Sequence, residues 1–119
     1  MTAIPETMTC IEIIEPGGPE VLRTTDRPVP EPEDGEVLIS VQAAGVNRPD
    51  CIQRQGNYAP PPGVTDIPGL EVSGRVVALG PGTGRYKLGD AVCALVTGGG
   101  YAEYCAAPEA QALPFPAGP

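Results

Sequence analysis

Apolar positions along this chain come in short runs that repeat every one or two residues, never at the three-to-four spacing of a long helix, and turn residues separate them. Met8 to Ile14 reads as a first strand, with Glu12 as its polar break. Glu15-Pro16-Gly17-Gly18-Pro19-Glu20 is a turn, because Gly-Gly admits positive φ and the prolines resist strand pairing. Val21 to Asp26 is expected to return antiparallel to the first strand. Pro28-Val29-Pro30-Glu31-Pro32 must be extended, since each proline also drives its predecessor out of the helical region. Asp34-Gly35 is a hairpin-type turn.

Glu36 to Ala44 is the first strong strand, and its nearly continuous apolar run Val37-Leu38-Ile39-Ser40-Val41 predicts burial on both faces. Glu71 to Leu79 is another, interrupted by Ser73-Gly74, where a bulge or a close backbone approach is expected. Ala91 to Leu95 and Tyr101 to Cys105 follow, with Gly98-Gly99-Gly100 read as a hairpin tip between them. Those glycines lack the Lys-Ser or Lys-Thr of a phosphate loop and do not open a helix as a dinucleotide fingerprint does. Residues 1–7 read as a loose polar leader. From Ala106 the tail, with Pro108, Pro114, Pro116 and Pro119, is expected to form no helix or strand of any length.

One helix is predicted, and the chain is organised around it. After Ala44 the backbone turns at Gly45, Pro49 suits a first helical position, and Asp50 places a carboxylate in the first turn. The helix runs from Pro49 to Gln55 and Gly56 is its left-handed stop. Tyr58 and the stiff Ala59-Pro60-Pro61-Pro62 open a loop that reaches Pro68. A loop that long in a small domain is either functional or a rigid spacer.

Composition narrows the class. Sixteen glycines and sixteen prolines among 119 residues are too many for a helical bundle. A 41% apolar fraction with only 4% aromatics sets the core on Val, Ile, Leu and Ala. One mainly β domain is expected. The net charge of −8, with seven scattered basic residues, excludes a nucleic-acid-binding stripe. No apolar run approaches the ~18 residues of a membrane span, and no secretory signal is visible. Four cysteines without a C-x-x-C pair, and no histidine, disfavour zinc and fit a reduced, cytoplasmic chain. No Ser-His or Cys-His pair exists.

The candidate chemistry therefore falls to polar groups beside the helix: Asn47, Asp50, Tyr58 and Glu71. Each has a plain structural alternative. Asn47 serves as a cap or turn residue, Asp50 serves the helix dipole, Tyr58 anchors its loop, and Glu71 pairs with an arginine.

The segments Gly45-Val46-Asn47-Arg48-Pro49-Asp50, Gln53-Arg54-Gln55-Gly56-Asn57-Tyr58-Ala59-Pro60-Pro61-Pro62-Gly63, Gly69-Leu70-Glu71-Val72-Ser73-Gly74 and Gly89-Asp90, in that order, resemble medium-chain dehydrogenases/reductases. Within that superfamily they resemble the zinc-independent quinone oxidoreductases of the tumour-suppressor-inducible type, from about Met8 onward. The resemblance implies a GroES-like β-barrel with one or two short helices, acting as the catalytic domain. It implies NADPH-dependent reduction of quinones or related enones, and a homodimer for the full-length protein. Zinc alcohol dehydrogenases of the superfamily carry Cys where Asn47 stands and His where Leu70 stands, so the match implies no catalytic metal. It places Asn47 and Asp50 toward the cofactor, with Asn47 by the nicotinamide ribose. Tyr58 falls beside the substrate as a hydrogen-bond donor, with Ile52, Leu70 and Glu71 lining the cleft. Some relatives have a second Tyr where this chain has Ile52. A Rossmann domain is expected beyond Pro119, so residues 1–119 read as the N-terminal domain alone. The rival reading is a stand-alone GroES-like binding or co-chaperone module without catalysis.

Overall fold

The computed structural model describes residues 4–115. Seven strands and one α-helix follow one another: β1 (Thr7–Ile13), β2 (Leu22–Pro28), β3 (Glu36–Ala44), α1 (Arg48–Arg54), β4 (Glu71–Leu79), β5 (Ala91–Leu95), β6 (Tyr104–Pro108) and β7 (Ala112–Pro114). Single 3-10 turns at Pro19–Val21 and Glu109–Gln111 lead into β2 and β7. The class is mainly β, as expected.

β1 and β2 pair antiparallel as a two-stranded ribbon, and the other five strands form one antiparallel sheet in the order β6-β3-β4-β5-β7. Ribbon and sheet do not close into a continuous hydrogen-bonded barrel. They are stitched where β1 meets the stretch before β6, through the Cys10–Ala102 bridge. There the Ile11 N–H donates to the Tyr101 carbonyl (2.9 Å), and Glu103 N–H donates to the Thr9 carbonyl (3.1 Å).

β3 lies between β4 and β6, which explains its unbroken apolar run. Val37, Leu38 and Ile39 are all buried in succession, so both faces of this strand are covered. Val37 and Ile39 join Val72, Val76, Val92, Ala94, Cys105, Ala107 and Ala112 in the main core. Full burial of each Val or Ile side chain in this core is worth ~1.5–3 kcal/mol. Met8, Cys10 and Ile67 form a second, smaller core beneath the ribbon.

Gly74 marks a close approach. A Cβ there would collide with the backbone carbonyl of Ser40, and the β3–β4 register slips between Val41 and Ala43. Both alternatives raised for Ser73-Gly74 are thus realised in one place.

Several expectations are corrected. Gly98–Gly100 is not a hairpin tip, because β5 pairs with β4 and β7, not with β6. Gly99 and Gly100 are buried against the 65–69 stretch and donate their N–H groups to the carbonyls of Ile67 (2.8 Å) and Gly69 (3.1 Å). The expected strand from Tyr101 begins only at Tyr104, since residues 101–103 turn to meet β1. The tail after Ala106 is structured: β6 runs to Pro108, and β7 adds an edge to β5. Proline is tolerated at such an edge, where its missing N–H breaks no ladder. The helix begins at Arg48, one residue early, which places Pro49 second. The leader's residues 1–3 and the tail's 116–119 lie outside the described residues.

Candidate functional site

The site grows from the strand-to-helix junction. β3 ends at Ala44, Gly45 donates its N–H to the Glu71 carbonyl (3.0 Å), and Asn47 is the extended N-cap of α1. Asn47 and Asp50 form a capping box, whose well-formed half is the 3.0 Å bond from the Asn47 N–H to Asp50 Oδ2. The Asn47 side chain also reaches the start of β4, where its Nδ2 donates to Glu71 Oε1 at 3.1 Å. Glu71 is therefore partnered by Asn47, not by an arginine. Glu71 and Gly45 border a cavity of about 630 Å³ that is also lined by Ser73, Cys93, Leu95 and Leu113.

The far end of α1 is clamped. Arg54 Nε donates to the Gly17 carbonyl, and the Gly17 N–H donates to the Arg54 carbonyl, both at 3.0 Å. Gly56, with φ of 84°, ends the helix in the left-handed conformation expected of it. Gln53 Nε2 donates to the Asp66 carbonyl (2.9 Å), and Arg27 bridges Glu12 and Asp66. The loop after α1 is thus tied down at its end, while Tyr58 near its start is 41% exposed. The Tyr58 hydroxyl makes no hydrogen bond among the described residues. Ile52 is half-buried on α1. Leu70 is half-buried directly before β4, and its carbonyl accepts the Val96 N–H at 2.8 Å.

Asn47, Asp50 and Glu71 are brought together by hydrogen bonds, and Tyr58, Ile52 and Leu70 are not part of this network. Asp50 points inward. It is only 5% exposed, and its Oδ2 also accepts the Tyr101 hydroxyl at 2.6 Å. Burial pushes the Tyr101 phenol above its ordinary range, and the hydrogen bond to Asp50 adds to the shift, so the hydroxyl remains a donor. The sequence reading missed Tyr101. Its one signal was its place directly after three glycines, which make room for a buried backbone.

Among the described residues no three or more Cys, Asp or Glu side chains gather into a group that could hold a metal ion. Cys10, Cys51, Cys93 and Cys105 are free thiols. Among the described residues no helix is long and apolar enough to cross a membrane.

Residues 33–117 match the alcohol dehydrogenase GroES-like domain. The quinone oxidoreductase of Lama guanicoe is 43% identical over 111 residues, covering 92% of this chain and 34% of that protein. The quinone oxidoreductase of Homo sapiens is 40% identical over 111 residues with the same two coverages, 92% and 34%. Among solved structures, the human synaptic vesicle membrane protein VAT-1 homolog-like protein superposes with a TM-score of 0.85 at 38% identity, over 92% of this chain and 36% of that one. A mycobacterial protein solved in complex with NADPH gives a TM-score of 0.78 at 42% identity, over 92% of this chain and 32% of that one. The chain spans about a third of the length of these relatives. With the ordered motifs, the antiparallel sheet and the N-capped helix at its rim, the match settles its membership: the chain belongs to the alcohol dehydrogenase GroES-like domain family of the medium-chain dehydrogenase/reductase superfamily.

Proposed function

We propose that this domain forms the substrate-side wall of an NAD(P)H-dependent quinone oxidoreductase that works without zinc. The observation that carries the reading is the Asn47 carboxamide, fixed at the β3–α1 junction by its backbone bond to Asp50 and its side-chain bond to Glu71. Asn47 and Leu70 stand where zinc-dependent relatives by resemblance carry ligands, and the chain has no histidine. Relatives named quinone oxidoreductases at 40–43% identity supply the reaction class.

The residues fit one end of the cofactor. Asn47 Nδ2 is engaged by Glu71, and the amide oxygen, whose capping role uses one lone pair, keeps a second to accept from a ribose hydroxyl. Asp50 serves this contact indirectly, by holding the Asn47 backbone. The phosphate end has no cradle here. The N–H groups of Gly99 and Gly100 are already spent on Ile67 and Gly69, and the chain carries a net charge of −8. A Rossmann domain of the parent protein is proposed to hold the pyrophosphate.

NADPH, when bound, would supply the hydride for the acceptor, with the accompanying proton coming from water. The exposed Tyr58 hydroxyl donates to the acceptor's carbonyl oxygen, stabilising the charge that develops there. Pro60, Pro61 and Pro62 fix φ at three positions just beyond it and give the ring a stiff mount. Ile52 and Leu70 supply apolar walls, and Glu71 keeps the Asn47 amide in one orientation. Cytoplasmic residence fits the four free thiols, and a homodimer is proposed for the full-length protein.

The test is Tyr58→Phe in the parent enzyme, assayed by quinone-dependent NADPH oxidation. A fall in kcat/KM of roughly ten- to a thousandfold is expected for one lost directed donor. Unchanged turnover across several quinones refutes the role of Tyr58. Isothermal titration of NADPH into residues 1–119 alone is expected to show no micromolar binding, because positioning of the cofactor is shared with the second domain. Tight binding with steady quinone turnover by this chain alone overturns the division of labour.

A further inference from the structure

We propose that Tyr101 is a positioning residue for Asn47, acting through the carboxylate of Asp50. Its catalytic consequence rests on the function proposed above; the geometry does not.

Asp50 is 5% exposed, and its Oδ1 has no hydrogen-bond partner. Two donors reach its other oxygen: the Tyr101 hydroxyl at 2.6 Å and the Asn47 N–H at 3.0 Å. The shorter distance is that of a charge-assisted O–H to carboxylate bond. A carboxylate this buried, with one bare oxygen, depends on each donor it has. Remove one, and it must move toward another donor or take a proton.

Tyr101 is itself a fixed point. Its N–H donates to the Pro68 carbonyl (2.9 Å), and its carbonyl accepts the Ile11 N–H (2.9 Å). Its ring lies over Gly69, where an added Cβ would stand 2.7 Å from the ring's Cδ1. The hydroxyl is thus delivered by backbone anchored to two other segments. Asp50 occupies the third position of α1, so wherever its carboxylate is held, the N-cap backbone of Asn47 follows. Asn47 then presents its amide to Glu71 at the start of β4. The relay Tyr101–Asp50–Asn47–Glu71 joins three separate stretches of chain, and its outermost bond is the one that aims the Asn47 side chain.

The test reads the two Nδ2 proton resonances of Asn47 in isotope-labelled residues 1–119, and steady-state kinetics in the parent enzyme. Tyr101→Phe is expected to shift both resonances and to lower kcat on the order of tenfold with little change in the quinone KM, as misplacement of an orienting group does. Asp50→Asn keeps an oxygen for both donors and is expected to retain most of the wild-type signal, whereas Asp50→Ala reproduces the Tyr101→Phe shift. Tyr104→Phe, in the same stretch but outside the relay, leaves the resonances in place. Unmoved Asn47 resonances in a folded Tyr101→Phe chain overturn the proposal. If that variant does not fold, identical Asn47 signals in Asp50→Asn and Asp50→Ala overturn it instead. A parent enzyme that reduces no quinone refutes the proposed function and leaves the resonance test standing.

Discussion

Gly45 offers a way to disturb the site without disturbing the fold. Its φ is not positive, so alanine is compatible with the backbone, and its N–H bond to the Glu71 carbonyl survives the change. The added Cβ, however, would fall inside contact distance of the Glu71 side chain at Oε1, Cδ and Cγ. Glu71 is exposed and flexible, so it swings away and breaks its bond to Asn47 Nδ2. An exposed, charge-assisted bond of this kind is worth about 0.5–1 kcal/mol net. Against that loss, Gly→Ala removes unfolded-state freedom worth ~0.4–1 kcal/mol. The two nearly cancel, and Gly45→Ala is expected to stay within about 1 kcal/mol of wild type, a Tm change of at most roughly 4 °C for a domain of this size. Activity is expected to respond far more, because the Asn47 amide is left free to rotate: kcat/KM for quinone falls on the order of tenfold. Glu71→Ala reaches the same state by deletion, so the double variant is expected to be no worse than either single one. Thermal denaturation by circular dichroism and quinone-dependent NADPH oxidation measure the two arms. A stability loss above ~2 kcal/mol, or additive losses of activity in the double variant, refutes the reasoning.

Gly74→Ala is the contrasting case, since the group it meets is the Ser40 backbone carbonyl, which cannot swing aside. A loss of about 2–3 kcal/mol is expected in urea unfolding, the range for overpacking against rigid structure, and a value within ~0.5 kcal/mol of wild type counts against it. Cys105 gives a pH dependence. Burial first, then the nearby Glu36, pushes its thiol from 9.0 up to about 12. The unfolded chain therefore gives up this proton first as pH rises, and the stability that the neutral thiol contributes is whole below about pH 9 and lost toward about 12. Urea midpoints should fall over that interval, with Tyr101, also raised from its ordinary 10.0, adding to the slope above pH 10. Cys105→Ala is expected to flatten the slope, and an unaltered slope in that variant removes Cys105 as its cause.

What was legible in the sequence was whatever local chemistry determines. β3 and β4 carry their boundaries in their own residues: an Asp34-Gly35 turn before one, Gly45 and Pro68-Gly69 around the loop between them, Gly80-Pro81 after the other. The helix likewise carries its N-cap, its early proline and its Gly56 stop within ten residues, so each of its ends was misplaced by only one residue. The errors fall where partners are distant. Gly98–Gly100 reads as a turn by composition, and only the strand order, which sends β5 to β7, turns it into a buried seam against residues 65–69. β7 has three residues, one of them proline, and exists because β5 offers it an edge.

The same distinction explains the site. Asn47, Asp50 and Glu71 stood out because they flank a strand-to-helix turn, and two of the three meet through a local capping pattern. Tyr101 lies fifty-one residues from Asp50 along the chain, and nothing in its own neighbourhood pairs it with a carboxylate. Its role comes from a backbone path: three glycines thin enough to pass beneath Pro68-Gly69, then a tyrosine whose ring comes to rest over Gly69. The glycines that read as a hairpin tip are, in the fold, what brings the Tyr101 phenol to the first turn of the helix. Replacing Gly100 with alanine therefore tests the path as Tyr101→Phe tests its end. An added Cβ there would stand 3.0 Å from the Gly69 backbone, so the Tyr101 hydroxyl and the Asn47 resonances should move together or not at all.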